Sequence, residues 1–240
     1  MLGYLRLQLL ATARNKRYLI FTVGFPLILY VAITASITGP DSQKYAVAYL
    51  VSMSVFGVMG GVLMTTGPAI ANERKSGWLR QLRLLPISER GVFVGKVATA
   101  MATALPSLIA VALAARFFKN VHLGAGTWVE LIAAVWLGCL PFAAIGVLIG
   151  YVFDGESARM ISALLHSLLA FLGGLYFPVD TGGLHRVAQL LPSYRVYELG
   201  NDVIHSQTLS GVGIAILAGY AVVFGGLATL RIRRAGGLTA

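Results

Sequence analysis

The feature that most constrains this chain is a stretch from Tyr45 to Ala71 without one charged side chain. A helix of about 20 apolar residues crosses the hydrocarbon core of a bilayer, and this run is longer than that. In lipid the backbone must satisfy its own hydrogen bonds, which leaves helices and closed barrels as the only spanning forms. The run is continuous, with no alternation of apolar and polar positions, so a barrel strand is excluded. Five further runs have similar length and character: 18–38, 97–115, 131–153, 160–179 and 211–230. Pro106 and Pro141 interrupt two of them, and the fifth ends at Phe177-Pro178. The expected fold is therefore all-α, a single polytopic membrane domain over residues 1–240 with six transmembrane helices.

Composition agrees. Hydrophobic residues make up 57% of the chain and charged residues 12%, where a soluble domain has about 45–50% and about 25%. A soluble globule of this size would have to leave much apolar surface in water. A soluble enzyme, a disordered chain and a disulfide scaffold are excluded. The single cysteine, Cys139, rules out an internal disulfide and any cysteine-based metal cluster. It sits in an apolar run and reads as a small core residue. The first run is too long for a cleaved signal peptide, and five more spans follow it.

The net charge of +10 does not mark a nucleic-acid binder, because the basic residues are scattered between apolar runs. They mark orientation instead. With six spans both termini share a side, and that side carries 14 of the 19 Lys and Arg residues. Most of them lie in the N-terminal segment, between spans two and three, and at the C-terminus. Only Lys44, Arg116, Lys119, Arg186 and Arg195 fall on the other side. The positive-inside rule then puts both termini in the cytoplasm.

Three segments are neither spans nor plain loops. Residues 1–17 carry Leu2, Leu5, Leu9 and Ala13 at helical spacing and read as an amphipathic interfacial helix leading into the first span. Residues 72–90 place Trp78, Leu82 and Leu85 on one stripe with Leu79 beside it, and Pro86 ends the helix. Such a helix suits lipid headgroups or a groove on a partner protein, and amphipathicity alone does not separate the two. Residues 176–210 mix Pro178, Gly182, Gly183 and Pro192 with apolar residues and charges. They read as an external re-entrant hairpin whose backbone protein must cover.

No catalytic constellation holds. The segment Gly91–Val97 is a near miss for a phosphate-binding loop, one residue short between its glycines and with Val97 where a Mg²⁺-binding hydroxyl is needed. The chain is therefore expected not to be an enzyme, with no catalytic residue, no metal and no cofactor of its own. His122, His166, His185 and His205 have no second His, Asp or Glu at helical ligand spacing. His166 lies near the middle of the fifth span. An ionisable residue at that depth is either a polar point on a solute path or a neutral imidazole bonded to a neighbouring helix, and both readings stay open.

The segment Glu73-Arg74-Lys75-Ser76-Gly77-Trp78-Leu79-Arg80-Gln81-Leu82-Arg83-Leu84-Leu85-Pro86-Ile87-Ser88 resembles the motif between spans two and three of type-2 ABC exporter permeases, roughly E-R-E-x-G-T-L-E-x-L-x-x-T-P-[VIL]-S. A second stretch, Phe171 to Pro178 followed by Leu190-Leu191-Pro192-Ser193-Tyr194, is similar to the same family's F-L-x-G-x-x-F-P and L-x-P-x-x-Y. The resemblance covers nearly the whole chain. Lys75, Trp78 and Arg80 depart from the pattern and make this loop more basic than usual, so the ATPase surface it meets is expected to be more acidic.

The resemblance implies a bacterial inner-membrane exporter subunit. It would pair with a second permease copy, as a homodimer, and with two separate ABC ATPase subunits that hold the ATP and Mg. Glu73, Gly77, Trp78, Leu79, Leu82, Leu85, Pro86 and Ser88 would couple it to the ATPase. Spans two and five would line the path, with Met53, Phe56, Gly57, Gly60, Met64, His166, Phe171 and Gly174 as its candidate residues. For the glycines the alternative is packing within one subunit. Phe177 and Pro178 would form an external gate. These runs offer almost no charge, so the expected substrate is hydrophobic or amphipathic: a drug, an antibiotic or a lipid-like molecule. Two readings from other classes stand beside this one. They are a serine-protease-like intramembrane enzyme, and a subunit of an ATPase complex that signals or anchors without transporting.

Overall fold

A computed structural model describes residues 20–77, 89–177 and 182–237, and every element among them is helical. A π-helical turn, Ile20–Gly24, leads into α1, Phe25–Ser36. Pro26 has no N–H to return to the Thr22 carbonyl, and the helix is wound wide just before it. Next come α2, Ser42–Lys75, and α3, Glu89–Phe118. Helices α4, Ala125–Gly138, and α5, Leu140–Val152, meet at Cys139, which is fully buried. Helix α6 is Gly155–Leu172. The short α7, Gly182–Ala188, and α8, Pro192–Ile204, precede α9, Gly211–Gly237.

Four helical stretches are long and apolar enough to cross a membrane: Ser42–Lys75, Gly91–Phe118, Ala125–Val152 and Gly211–Ile232. The chain is thus an all-α, multi-pass membrane protein. The other two expected spans take a different form. Thr22–Ser36 is a shorter apolar helix. The run at 160–179 belongs to α6, which begins earlier and stops at Leu172. Asp154 starts it by accepting hydrogen bonds from the Glu156 and Ser157 N–H groups at 3.1 and 2.8 Å, a local capping signal that hydropathy does not register. The expected interfacial helix at 1–17 lies outside the described residues, as do residues 78–88 of the 72–90 segment. Within 176–210 the chain forms two short helices, α7 and α8, joined by residues 189–191. Helix α8 buries Val196, Leu199 and Val203 against α4, α9 and α2.

Helix α2 is the hub. It packs on α1, α3, α5, α6 and α8, and 72% of its most apolar stretch is buried against 17% for α9. An apolar helix that exposed, with Val222 and Val223 facing outward, suits lipid and not water. Small residues let the other helices close on α2. A Cβ on Gly57 would collide with Ser107 of α3, one on Gly146 of α5 with Thr66, and one on Gly67 would come within 2.6 Å of the Ser162 hydroxyl on α6. Where burial drives no association in lipid, this close approach is what makes the bundle.

Candidate functional site

The π-helical turn with α1, α2 and α6 line a cleft of about 440 Å³. Thr22 of the π-helical turn and Phe25 and Pro26 of α1 form one wall. Phe56, Gly57, Gly60, Gly61 and Met64 of α2 form the second. His166 and Ser167 of α6 form the third, and Tyr176 closes one end. Among the described residues the lining holds no carboxylate, lysine or arginine.

His166 is held by α2. Its Nε2 lies 3.1 Å from the Phe56 carbonyl oxygen. A carbonyl only accepts, so Nε2 carries the proton and donates. The imidazole and the Phe56 ring are 4.4 Å apart, centre to centre. The approach depends on Gly60, since a Cβ there would stand 2.9 Å from Nε2 and 3.1 Å from Cε1. Ser162, one turn earlier, packs at Gly67 instead.

Beyond Tyr176 lies a second, smaller pocket of about 250 Å³, lined by Lys44, Tyr45, Tyr49, Tyr176, Phe177 and Tyr197 among others. Tyr176 is common to both. Its ring packs 5.4 Å from that of Phe56, and the Tyr49 hydroxyl donates to its carbonyl at 3.3 Å. The turn that places it is a helix stop. The Gly173 N–H returns to the Leu169 carbonyl at 2.9 Å and the Leu175 N–H to the Ala170 carbonyl at 2.9 Å. Gly174 between them sits at φ +72°. A left-handed glycine with this bonding is how many helices end. Ser193 of α8 adds a third link, donating to the Leu169 carbonyl at 2.7 Å.

The last turn of α2 forms a separate cluster. Glu73 is ion-paired with Lys96 of α3. Arg74 donates from Nη1 to the Gly150 and Phe153 carbonyls at 3.0 and 3.4 Å, and its guanidinium lies 6.0 Å from the centre of the Tyr151 ring. Those carbonyls are at the end of α5, where a helix leaves acceptors unused. The helix then terminates at Gly77, with φ +76°.

Of the candidate path residues, the cleft gathers Phe56, Gly57, Gly60, Met64 and His166. Met53 is fully buried in the core, Phe171 is exposed on the outer face of α6, and Gly174 forms the stop. Phe177 is exposed beside the second pocket, and Pro178 lies outside the described residues. Of the coupling set, Glu73 and Gly77 close α2, while Trp78, Leu79, Leu82, Leu85, Pro86 and Ser88 lie outside the described residues. Sequence reasoning passed over Tyr176, although it stands inside the Phe171–Pro178 stretch, and over the wall formed by Thr22, Phe25 and Pro26. A proline after a threonine at i−4 was the available signal for the latter.

Residues 30–230 match the family model described as ABC-2 family transporter protein. The chain belongs to the ABC-2 transporter family. Over 217 residues it is 29% identical to the Bacillus subtilis (strain 168) protein named "Putative transport permease YvfS", a match covering 88% of each chain. An ABC-2 permease is the transmembrane subunit of an ABC transporter, and such permeases work with ABC ATPase subunits. The cleft and the α2 cluster are therefore features of a transport subunit.

Proposed function

We propose that this ABC-2 permease exports a hydrophobic or amphipathic molecule (a drug, an antibiotic or a lipid-like compound) across a bacterial inner membrane. The observation that carries the reading is the cleft between the first span, α2 and α6. Aromatic rings, Met64 and glycine backbone line it, with His166 and the hydroxyls of Thr22, Ser167 and Tyr176 as its polar groups. A strongly charged solute would find no counter-charge among the described residues there, and desolvating it would cost several kcal/mol or more. A flat apolar molecule needs none.

The permease crosses the bilayer six times, with both termini cytoplasmic. The additional spans are the π-helical turn with α1, and α6. At about 1.5 Å per residue the 18 residues of α6 reach about 27 Å, close to the hydrocarbon thickness of about 30 Å. Two copies pair as a homodimer over two ATPase subunits that bind ATP and Mg, while this chain hydrolyses nothing itself. Residues 73–88 dock on the ATPase through Trp78, Leu79, Leu82 and Leu85, with Gly77, Pro86 and Ser88 shaping the segment. Substrate moves from the cleft past Tyr176 towards the pocket at Phe177, and Phe177 and Pro178 gate the exit.

The test is flux. The permease is reconstituted in vesicles with its ABC ATPase subunit, and a hydrophobic fluorescent dye and an anionic polysaccharide are compared. ATP-dependent movement of the dye, weakened by Gly60→Leu, which fills the cleft, is the expected result. Transport of the polysaccharide alone, or dye flux indifferent to a filled cleft, overturns it.

A further inference from the structure

The last turn of α2 holds more than one neighbour. Glu73 meets Lys96 at the start of α3, across the loop that connects the two helices. Both side chains are largely withdrawn from solvent, Lys96 to 6% exposure and Glu73 to 20%. Arg74 holds the end of α5 by two carbonyls. Asn72 presses on Gly155, the first residue of α6, where any Cβ would strike its side-chain oxygen. One turn of one helix is therefore tied to three others, directly above the loop that the transport reading assigns to the ATPase.

A withdrawn ion pair is a poor device for stability alone, because apolar side chains of the same size often serve as well or better. What it supplies is a directional tie. The pair closes the base of the loop, so a displacement of residues 76–88 moves the end of α2 and the start of α3 together. Helix α6 runs from this turn to the cleft without an internal proline, and α2 continues there as one helix through Pro68; at the cleft Gly60 and His166 face each other. At about 1.5 Å per residue the distance is about 20 Å along α2 and about 17 Å along α6.

We propose that the Glu73–Lys96 pair, seconded by Arg74 on the end of α5, is the internal joint through which nucleotide-driven movement of the loop reaches the cleft. Glu73 then acts on α3 as a positioning residue and not by touching the ATPase. The inference rests on the transport reading above and specifies how its loop works.

The experiment uses the permease–ATPase complex in lipid nanodiscs. Cys139→Ser removes the native thiol, and Ser167→Cys places a reporter in the cleft. The labelling rate of that thiol by N-ethylmaleimide is measured without nucleotide and after trapping with ATP and vanadate. A several-fold change is expected in the parent. Glu73→Gln and Lys96→Met each abolish the change while the ATPase stays bound. Lys96→Arg keeps it, and the exchange Glu73→Lys with Lys96→Glu regains it. Single variants that respond like the parent overturn the joint. So does a folded exchange variant that stays silent, because Glu73 would then be serving another surface. If the single variants fail to assemble, Lys96→Arg and the exchange, which keep both charges, decide the matter alone. A parent complex whose reporter ignores nucleotide removes the transport reading, and the joint with it. A responsive parent with equally responsive variants removes the joint only.

Discussion

The contact between Gly60 and His166 makes a prediction whose size follows from the coordinates. In Gly60→Ala the new Cβ would stand 2.9 Å from Nε2 and 3.1 Å from Cε1. Ordinary contact starts near 3.4 Å, so the imidazole must retreat by about half an ångström. That lengthens its 3.1 Å bond to the Phe56 carbonyl beyond hydrogen-bonding range. An interhelical hydrogen bond in a membrane bundle contributes about 0.6 kcal/mol on average, with about 1.7 as the upper end. One extra methyl forced into a packed contact costs about 1–3 kcal/mol. Together they give about 2 kcal/mol, or a fall of roughly 4–8 °C in Tm for a chain of this size. The discriminating measurement is a double-mutant cycle with His166→Ala, read by intrinsic fluorescence on heating the detergent-solubilised permease. With the ring gone, the alanine at position 60 has nothing to displace, and its cost should drop to a few tenths of a kcal/mol. If Gly60→Ala lowers Tm equally with and without His166, Gly60 is not there to admit the imidazole and the reasoning fails.

Leu82→Asp or Leu85→Asp should leave the bundle folded but release the ATPase or separate hydrolysis from transport; normal substrate-stimulated hydrolysis with normal export in those variants would end the docking assignment. Gly174→Ala forces an L-residue to φ +72° and should cost about 1–2 kcal/mol, whereas Gly183→Ala in α7, with open space around it, should leave Tm unchanged. The Ser157 backbone N–H and hydroxyl hold the Asp154 carboxyl below its usual range. Its folded-state pKa is the lower one, so the stability it contributes is present above the unfolded value of about 4 and lost as pH falls through the folded value. Tm measured down that range should fall more for the wild type than for Asp154→Asn, which keeps a capping oxygen without the charge, and parallel curves would refute this.

How much could be read beforehand depended on the kind of signal. The charge-free run at 45–71 announced α2, because a helix buried on all sides needs no polar face. The join at Cys139 was invisible to hydropathy, since both halves are equally apolar; Pro141 marked the place but not the consequence. The start of α6 is not legible in hydropathy because Glu156 and Arg159 make its first turn polar, while the Asp154 cap is a local rule that acts regardless of hydropathy. Within α2, periodicity could not say that Phe56, Gly60 and Met64 face the cleft and Met53 the core, because every face is apolar. The Glu73–Lys96 pair was beyond reach for another reason. Its members stand on either side of a loop, and only the folding of α2 against α3 brings them together.

The central place of α2 has a consequence for how the molecule is made. Its notched surface at Gly57, Gly60 and Gly67 is filled by residues that the ribosome adds much later, Ser107 first and then Ser162 and His166. Acyl chains are too coarse to fill such notches, so α2 must wait in the bilayer half-clothed. The bundle becomes whole only after α6 has been synthesised, and a message cut short before that point would yield a set of inserted helices with no common centre.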